Sequence, residues 1–149
     1  MPNCNLDESY MNIAKEIAKR SYAKRLKVGA VLVKNNRIIS DGYNGMPYGF
    51  PNTCETDGCT NKEVLHAESN AITKIAKSNY SSDGSTLYVT TSPCIDCAKL
   101  IIQSGIVSVY FENLYRKTDG LDLMVNANID VYKKDKETNT FKKYISSVK

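Results

Sequence analysis

Apolar residues recur along the chain with two different periods. In residues 5–22, Tyr10, Ile13, Ala14, Ile17, Ala18 and Ser21 are spaced by three and four. That spacing predicts a helix, with Asp7 as its N-cap. Val28-Gly29-Ala30-Val31-Leu32-Val33 is an unbroken apolar run bounded by charge and predicts a buried strand. Lys34-Asn35-Asn36-Arg37 turns the chain, since Asn tolerates left-handed backbone, and residues 37–42 return as the second strand of a hairpin.

Both periods vanish across residues 43–61. Tyr43-Asn44-Gly45-Met46-Pro47-Tyr48-Gly49-Phe50-Pro51 mixes aromatics with glycine and proline and reads as a shaped loop of the kind that carries binding. Residues 63–78 predict a second helix with Leu65, Ile72, Ile75 and Ala76 inward. The β-branched stretch 86–91 predicts a strand. Ser92 is then the cap and Pro93 the first position of a third helix ending at Gly105. A strand at 106–111, a loop at 112–120, a fourth helix at 121–128 around Leu121, Met124 and Val125, and a strand at 129–132 complete the pattern. Alternating strands and helices in the second half predict parallel strands with helices on the sheet faces, and the opening hairpin makes the five-stranded sheet mixed.

Composition bounds the class. A chain of 149 residues, 42% hydrophobic and 24% charged, is expected to form one domain. No apolar run has membrane-span length, and the N-terminus lacks the basic and apolar regions of a signal peptide, so a cytoplasmic protein without membrane contact is expected. The net charge of +4 is confined to residues 133–149, which hold six lysines and two acids, while the rest of the chain is balanced. That places the charge in a basic, solvated tail and argues against a nucleic-acid polymer as partner. The absence of Trp argues the same way, against a stacking groove for single strands.

The candidate chemistry lies in two short stretches. Cys94 and Cys97 form a Cys-x-x-Cys at the predicted start of the third helix, where the dipole and free amides favour thiolates. Five cysteines in a reducing compartment point to metal or catalysis before disulfides. Alone, the pair suits a redox or structural zinc site equally well. His66, the protein's one histidine, supplies a third soft ligand, the number a catalytic zinc takes when its fourth position stays open. Two thiolates neutralise the metal's charge, so water there needs a base, and Glu68 stands two residues beyond the histidine. On an ideal helix positions i and i+2 diverge, so Glu68 must reach past the ligands or the helix start must be distorted. His66-Ala67-Glu68 with Pro93-Cys94-Ile95-Asp96-Cys97 matches the zinc nucleobase deaminase pattern.

From about Arg20 to Tyr132 the chain resembles the deoxycytidylate (dCMP) deaminases of the cytidine deaminase-like superfamily, and a phage or bacterial member in particular. The resemblance rests on Lys27-Val28-Gly29-Ala30-Val31, Gly42-Tyr43-Asn44-Gly45-Met46-Pro47, His66-Ala67-Glu68-Ser69-Asn70-Ala71-Ile72, Thr91-Ser92-Pro93-Cys94-Ile95-Asp96-Cys97-Ala98-Lys99 and Ser104-Gly105-Ile106. It implies a three-layer α/β/α fold and hydrolysis of dCMP to dUMP and ammonia. It implies Zn²⁺ on His66, Cys94 and Cys97, with Glu68 as proton shuttle. It also implies a hexamer activated by dCTP and inhibited by dTTP, with Mg²⁺ on the effector phosphates. By the same resemblance Asn44 contacts sugar and base, and Tyr115 lies against the nucleotide. Arg25 is the first candidate for the 5′-phosphate, with Ser21 and Lys24 as rivals, because a guanidinium fork suits phosphate. Gly42, Tyr43 and Gly45 are candidates for effector binding, since glycine lets amides approach phosphate. The sequence departs from members that hold a second, structural zinc: Ala23 stands at one expected cysteine and no second histidine exists. Cys4, Cys54 and Cys59 are then read as incidental thiols. Rival readings are another deaminase (of cytosine, a nucleoside, tRNA adenosine or a riboflavin precursor), a zinc-stabilised binding module without catalysis, and a single-strand editor.

Overall fold

The computed structural model describes residues 6–146. Cys4 and the predicted helix start at Asn5 lie outside the described residues. The elements run α1 (Leu6–Ala18), β1 (Gly29–Lys34), β2 (Arg37–Tyr43), β3 (Glu55–Thr56), β4 (Cys59–Thr60), α2 (Ala67–Ala76), β5 (Thr86–Thr91), α3 (Ile95–Gln103), β6 (Ser108–Asn113), α4 (Asp119–Asn126), β7 (Asp130–Asp135) and β8 (Thr140–Lys143).

Six strands form the main sheet in the order β2-β1-β5-β6-β7-β8. The β1/β2 hairpin and the β1/β5 pair are antiparallel, β5, β6 and β7 run parallel, and β8 closes the far edge antiparallel to β7. Asn35 and Asn36, both at positive φ, make the first hairpin turn.

Alternation along the strands separates two cores. Ala30, Leu32, Leu87, Val89, Val109, Phe111 and Val131 face α2, α3 and α4. Val31, Val33 and Tyr88 point the other way, onto Met11 and Ala14 of α1. Three layers follow, with α1 on one face and three helices on the other. Contact is closest where side chains are smallest. A Cβ on Gly42 would stand 2.4 Å from the Ala67 carbonyl oxygen, and one on Gly29 2.0 Å from that of Ala14, so α2 and α1 lie almost directly on the hairpin backbone.

Several expectations need correction. The sheet has six strands instead of five, because within the described residues β7 extends to Asp135 and Thr140–Lys143 adds a strand. Lys134 is 6% exposed and pairs with Glu112 at 3.1 Å, and Tyr144 and Phe141 pack on the two cores. The lysines that read as a solvated charge run are interrupted by aromatics, in Tyr132-Lys133-Lys134 and Phe141-Lys142-Lys143-Tyr144. In α1 the buried stripe is Met11, Ala14 and Ala18, while Ile13 is exposed. Helix α2 begins at Ala67, four residues late, because Glu63 lies in a turn and Leu65 is held in a bridge, exchanging backbone hydrogen bonds with Gly45 at 2.8 and 3.0 Å. Helix α3 is capped by Cys94 instead of Ser92.

Candidate active site

The late start of α2 and the late start of α3 put their N-caps side by side. His66 has extended backbone (φ −73°, ψ 158°) and Cys94 nearly the same (φ −73°, ψ 172°). Each turns its side chain back across the first helical turn. The His66 Nδ1 lies 3.4 Å from the Cys94 Sγ and 3.3 Å from the Cys97 Sγ. The three ligand atoms fall within 4.8 Å of one another, a spacing that one tetrahedral zinc ion spans with its fourth position free. The donor set also suits zinc: one imidazole nitrogen and two thiols.

The hydrogen bond with Cys97 draws the Cys94 thiol below its ordinary range, with His66 assisting. The Cys97 thiol is pushed up by the same bond and by burial. The Cys94 hydrogen bond also raises the His66 imidazole. The Ser69 Oγ, 3.7 Å from the Cys97 Sγ, is a further contact on the buried sulfur, and sequence reasoning gave Ser69 no role.

Glu68 sits at the second position of α2, 4% exposed. Because His66 lies outside the helix, the i, i+2 objection disappears, and both side chains reach the same space. Burial lifts the Glu68 carboxyl to about 7, against the pull of its own amide and of His66. A carboxyl so raised can hold or release a proton near neutrality.

A cleft of about 690 Å³ opens above these groups. His66, Glu68 and Cys94 line it together with Arg25, Asn44 and Tyr115, six of the residues singled out from the sequence. Asn44 has a second task. Its Oδ1 accepts the Val28 N–H at 2.8 Å and its Nδ2 donates to the Leu26 carbonyl at 2.7 Å, so it holds the segment leading into β1. Tyr115 donates its N–H to the buried Ser92 Oγ at 2.7 Å, and the Arg116 guanidinium lies 5.6 Å from its ring centre. Arg116, Asn113 and Glu55 also line the cleft and escaped the sequence reading. Nothing in their local pattern distinguishes them from ordinary loop residues.

Other candidates lie elsewhere. Ser21 is 3% exposed, donates to the Asn44 carbonyl at 2.7 Å and accepts the Ala23 N–H at 3.1 Å, away from the cleft lining. Lys24 stands beside Arg25 outside that lining. Gly42 is buried under α2, Gly45 bridges to Leu65, and Tyr43 lies 5.7 Å below the Arg20 guanidinium. Cys54, buried, and Cys59, exposed, both line the cleft.

The model for the cytidine and deoxycytidylate deaminase zinc-binding region matches residues 4–113. ComE operon protein 2 of Bacillus subtilis is 38% identical over 121 residues, covering 78% of this chain, which spans only 64% of that relative's length. The deoxycytidylate deaminase of Enterobacteria phage T4 is 36% identical, with 82% of this chain and 86% of the phage protein covered. Among solved structures, the dCMP deaminase of cyanophage S-TIM5 in complex with dCMP and dUMP superposes with a TM-score of 0.86 at 47% identity, covering 89% of this chain and 99% of that one.

Proposed function

The chain belongs to the cytidine and deoxycytidylate deaminase family, and from that membership we propose that it hydrolyses dCMP to dUMP and ammonia. One observation carries the reading: three zinc-type ligands close on a point beside a buried carboxyl, at the floor of a cleft whose walls bear Arg25, Asn44 and Tyr115. Zinc held by His66, Cys94 and Cys97 would supply Lewis acidity to a water molecule. Glu68 takes one proton from that water and delivers it to the ring nitrogen N3, then takes the second from the hydroxyl now on C4 and delivers it to the departing 4-amino group. The water oxygen forms the new bond at C4, the C4–N bond breaks, and ammonia leaves. Tyr115 offers a flat face to the base, Asn44 keeps one free N–H and one lone pair for base or sugar, and Arg25 reaches toward the 5′-phosphate.

An ammonia-release assay across cytosine, deoxycytidine, dCMP, CMP and dCTP tests this, with zinc measured on the same sample. Turnover is expected on dCMP with one zinc per chain. Equal turnover of deoxycytidine would sink the nucleotide reading.

Regulation belongs to the same proposal: a cytoplasmic homohexamer activated by dCTP and inhibited by dTTP, with Mg²⁺ on the effector phosphates. What supports it is the loop after Gly42, where Gly49 has φ 91° in open space and Tyr48 and Phe50 are exposed. Identical dCMP saturation curves with and without dCTP and Mg²⁺ would remove this part.

A further inference from the structure

Lys24 and Arg25 present consecutive backbone N–H groups at the cleft wall, and a carboxylate already occupies them. The Glu55 Oε1 accepts the Lys24 N–H at 2.8 Å and the Arg25 N–H at 3.2 Å. Two converging amides form a small anion-binding concavity. Glu55 reaches it from β3, whose partner strand holds Thr60 opposite, and the Arg25 Nη1 lies 3.4 Å from the Thr60 Oγ1. The β3/β4 hairpin is thus latched to the segment before β1 through one acid.

The charge at this point does not balance. Among the described residues, no ion pair engages Lys24, Arg25 or Lys27. One carboxylate sits on the amides of a segment, residues 24–27, that carries three cations without acidic partners. Another single negative charge would gain little by displacing it, because it would exchange one monoanion for another. A phosphomonoester carries about −1.5 to −2 charge at pH 7 and three terminal oxygens, so it can take the amides and still offer oxygens to the neighbouring cations.

We propose that Glu55 is a specificity-determining residue. Its carboxylate fills the Lys24–Arg25 amide site so that a dianionic phosphomonoester displaces it, whereas a monoanionic phosphodiester, as in a nucleic-acid strand, does not. The substrate side of this inference rests on the dCMP reading above, and the amide site itself can be tested apart from it.

The experiment uses the zinc-loaded full chain and three substrates: deoxycytidine, dCMP and deoxycytidine 5′-(methyl phosphate). Glu55→Gln keeps an acceptor oxygen for both amides but no charge. In this variant kcat/KM for the methyl ester is expected to rise about threefold to fivefold, the scale of an exposed charge pair. The value for deoxycytidine should stay level, so that the preference for dCMP over the diester narrows. An unchanged preference overturns the proposal. A second measurement, on the wild-type protein, survives a variant that fails to fold. Inorganic phosphate should shift the Lys24 and Arg25 amide resonances in ¹H–¹⁵N spectra and dimethyl phosphate should not. Equal response to both, or to neither, overturns the idea. If the wild type turns over none of the three substrates, the dCMP reading fails, while the amide shifts still decide the role of Glu55.

Discussion

Glu68 and Asn44 differ in how much of their role local sequence can carry. Glu68 is tied to His66 by two peptide bonds, so wherever the histidine goes the carboxyl follows, and the motif alone names it as the candidate acid–base group. Replacing it with Gln is expected to lower kcat by roughly 10²–10⁴-fold, the usual contribution of a positioned acid–base group, while zinc content by metal analysis stays at one per chain. An inactive but zinc-loaded variant also excludes the binding-module reading. The two backbone ties of Asn44 run to Leu26 and Val28, eighteen and sixteen residues away, and no sequence spacing announces them. Asn44→Ala leaves a backbone donor and acceptor without partners, one of them half-buried. A loss of about 1–2 kcal/mol in thermal or urea unfolding is expected, together with a raised KM for dCMP. A variant with unchanged stability would show that the clamp is idle. Ser21 was a phosphate candidate on residue type alone, and burial gives it to the Asn44 backbone instead.

The elements read from the pattern came out in the right order and type, but β3, β4 and β8 were missed and the starts of α2 and α3 fell later than expected. Residues 63–66 and 92–94 lie outside the helices, yet they look helical in sequence because Leu65 and Pro93 fit helical positions. The Gly45–Leu65 bridge and the strand end before Cys94 hold them out of the helices. That displacement builds the site, since a ligand at an N-cap can turn across the helix start. Helix α4 secures it from behind. A Cβ on Gly120 would meet the Pro93 carbonyl oxygen at 2.5 Å and the Cys94 carbonyl carbon at 2.8 Å. Gly120→Ala must therefore push α4 away or move Cys94, destabilising by about 1–3 kcal/mol. Zinc should also be lost at lower chelator concentration than in the wild type. A variant that melts earlier but holds zinc as tightly would show that α4 supports the fold and not the ligand.

Across the whole molecule, one ionic cluster joins α1, β6 and β7. The Glu112 Oε1 lies 3.1 Å from the Nζ of both Lys15 and Lys134. Burial opposes the charge on Glu112, but the two ammonium groups outweigh it and hold the carboxyl below its ordinary 4.5. A carboxyl lowered in the folded state adds stability above its unfolded value and surrenders it as pH falls through the folded one. Wild-type stability should thus decline below about pH 4.5 more steeply than that of Glu112→Gln, as followed by urea unfolding across pH. At pH 7 the variant should be weaker by about 1–3 kcal/mol, because it leaves the buried Lys134 without a charged partner. Parallel curves would mean that the cluster is energetically silent.

By itself the sequence determined the chemistry, namely which side chains could hold a metal and move a proton, because short-range spacing keeps those residues together. It also determined the alternation of strands and helices, because periodicity is a local property. Tertiary structure alone decided the rest. The last lysine-rich stretch becomes a strand because Phe141 and Tyr144 find opposite cores. Asn44 becomes a clamp because β2 runs beside β1. Glu55 reaches the Lys24 and Arg25 amides across thirty residues of chain. Each of these depends on which distant groups meet, and burial and hydrogen-bond satisfaction settle that only once the whole chain is packed.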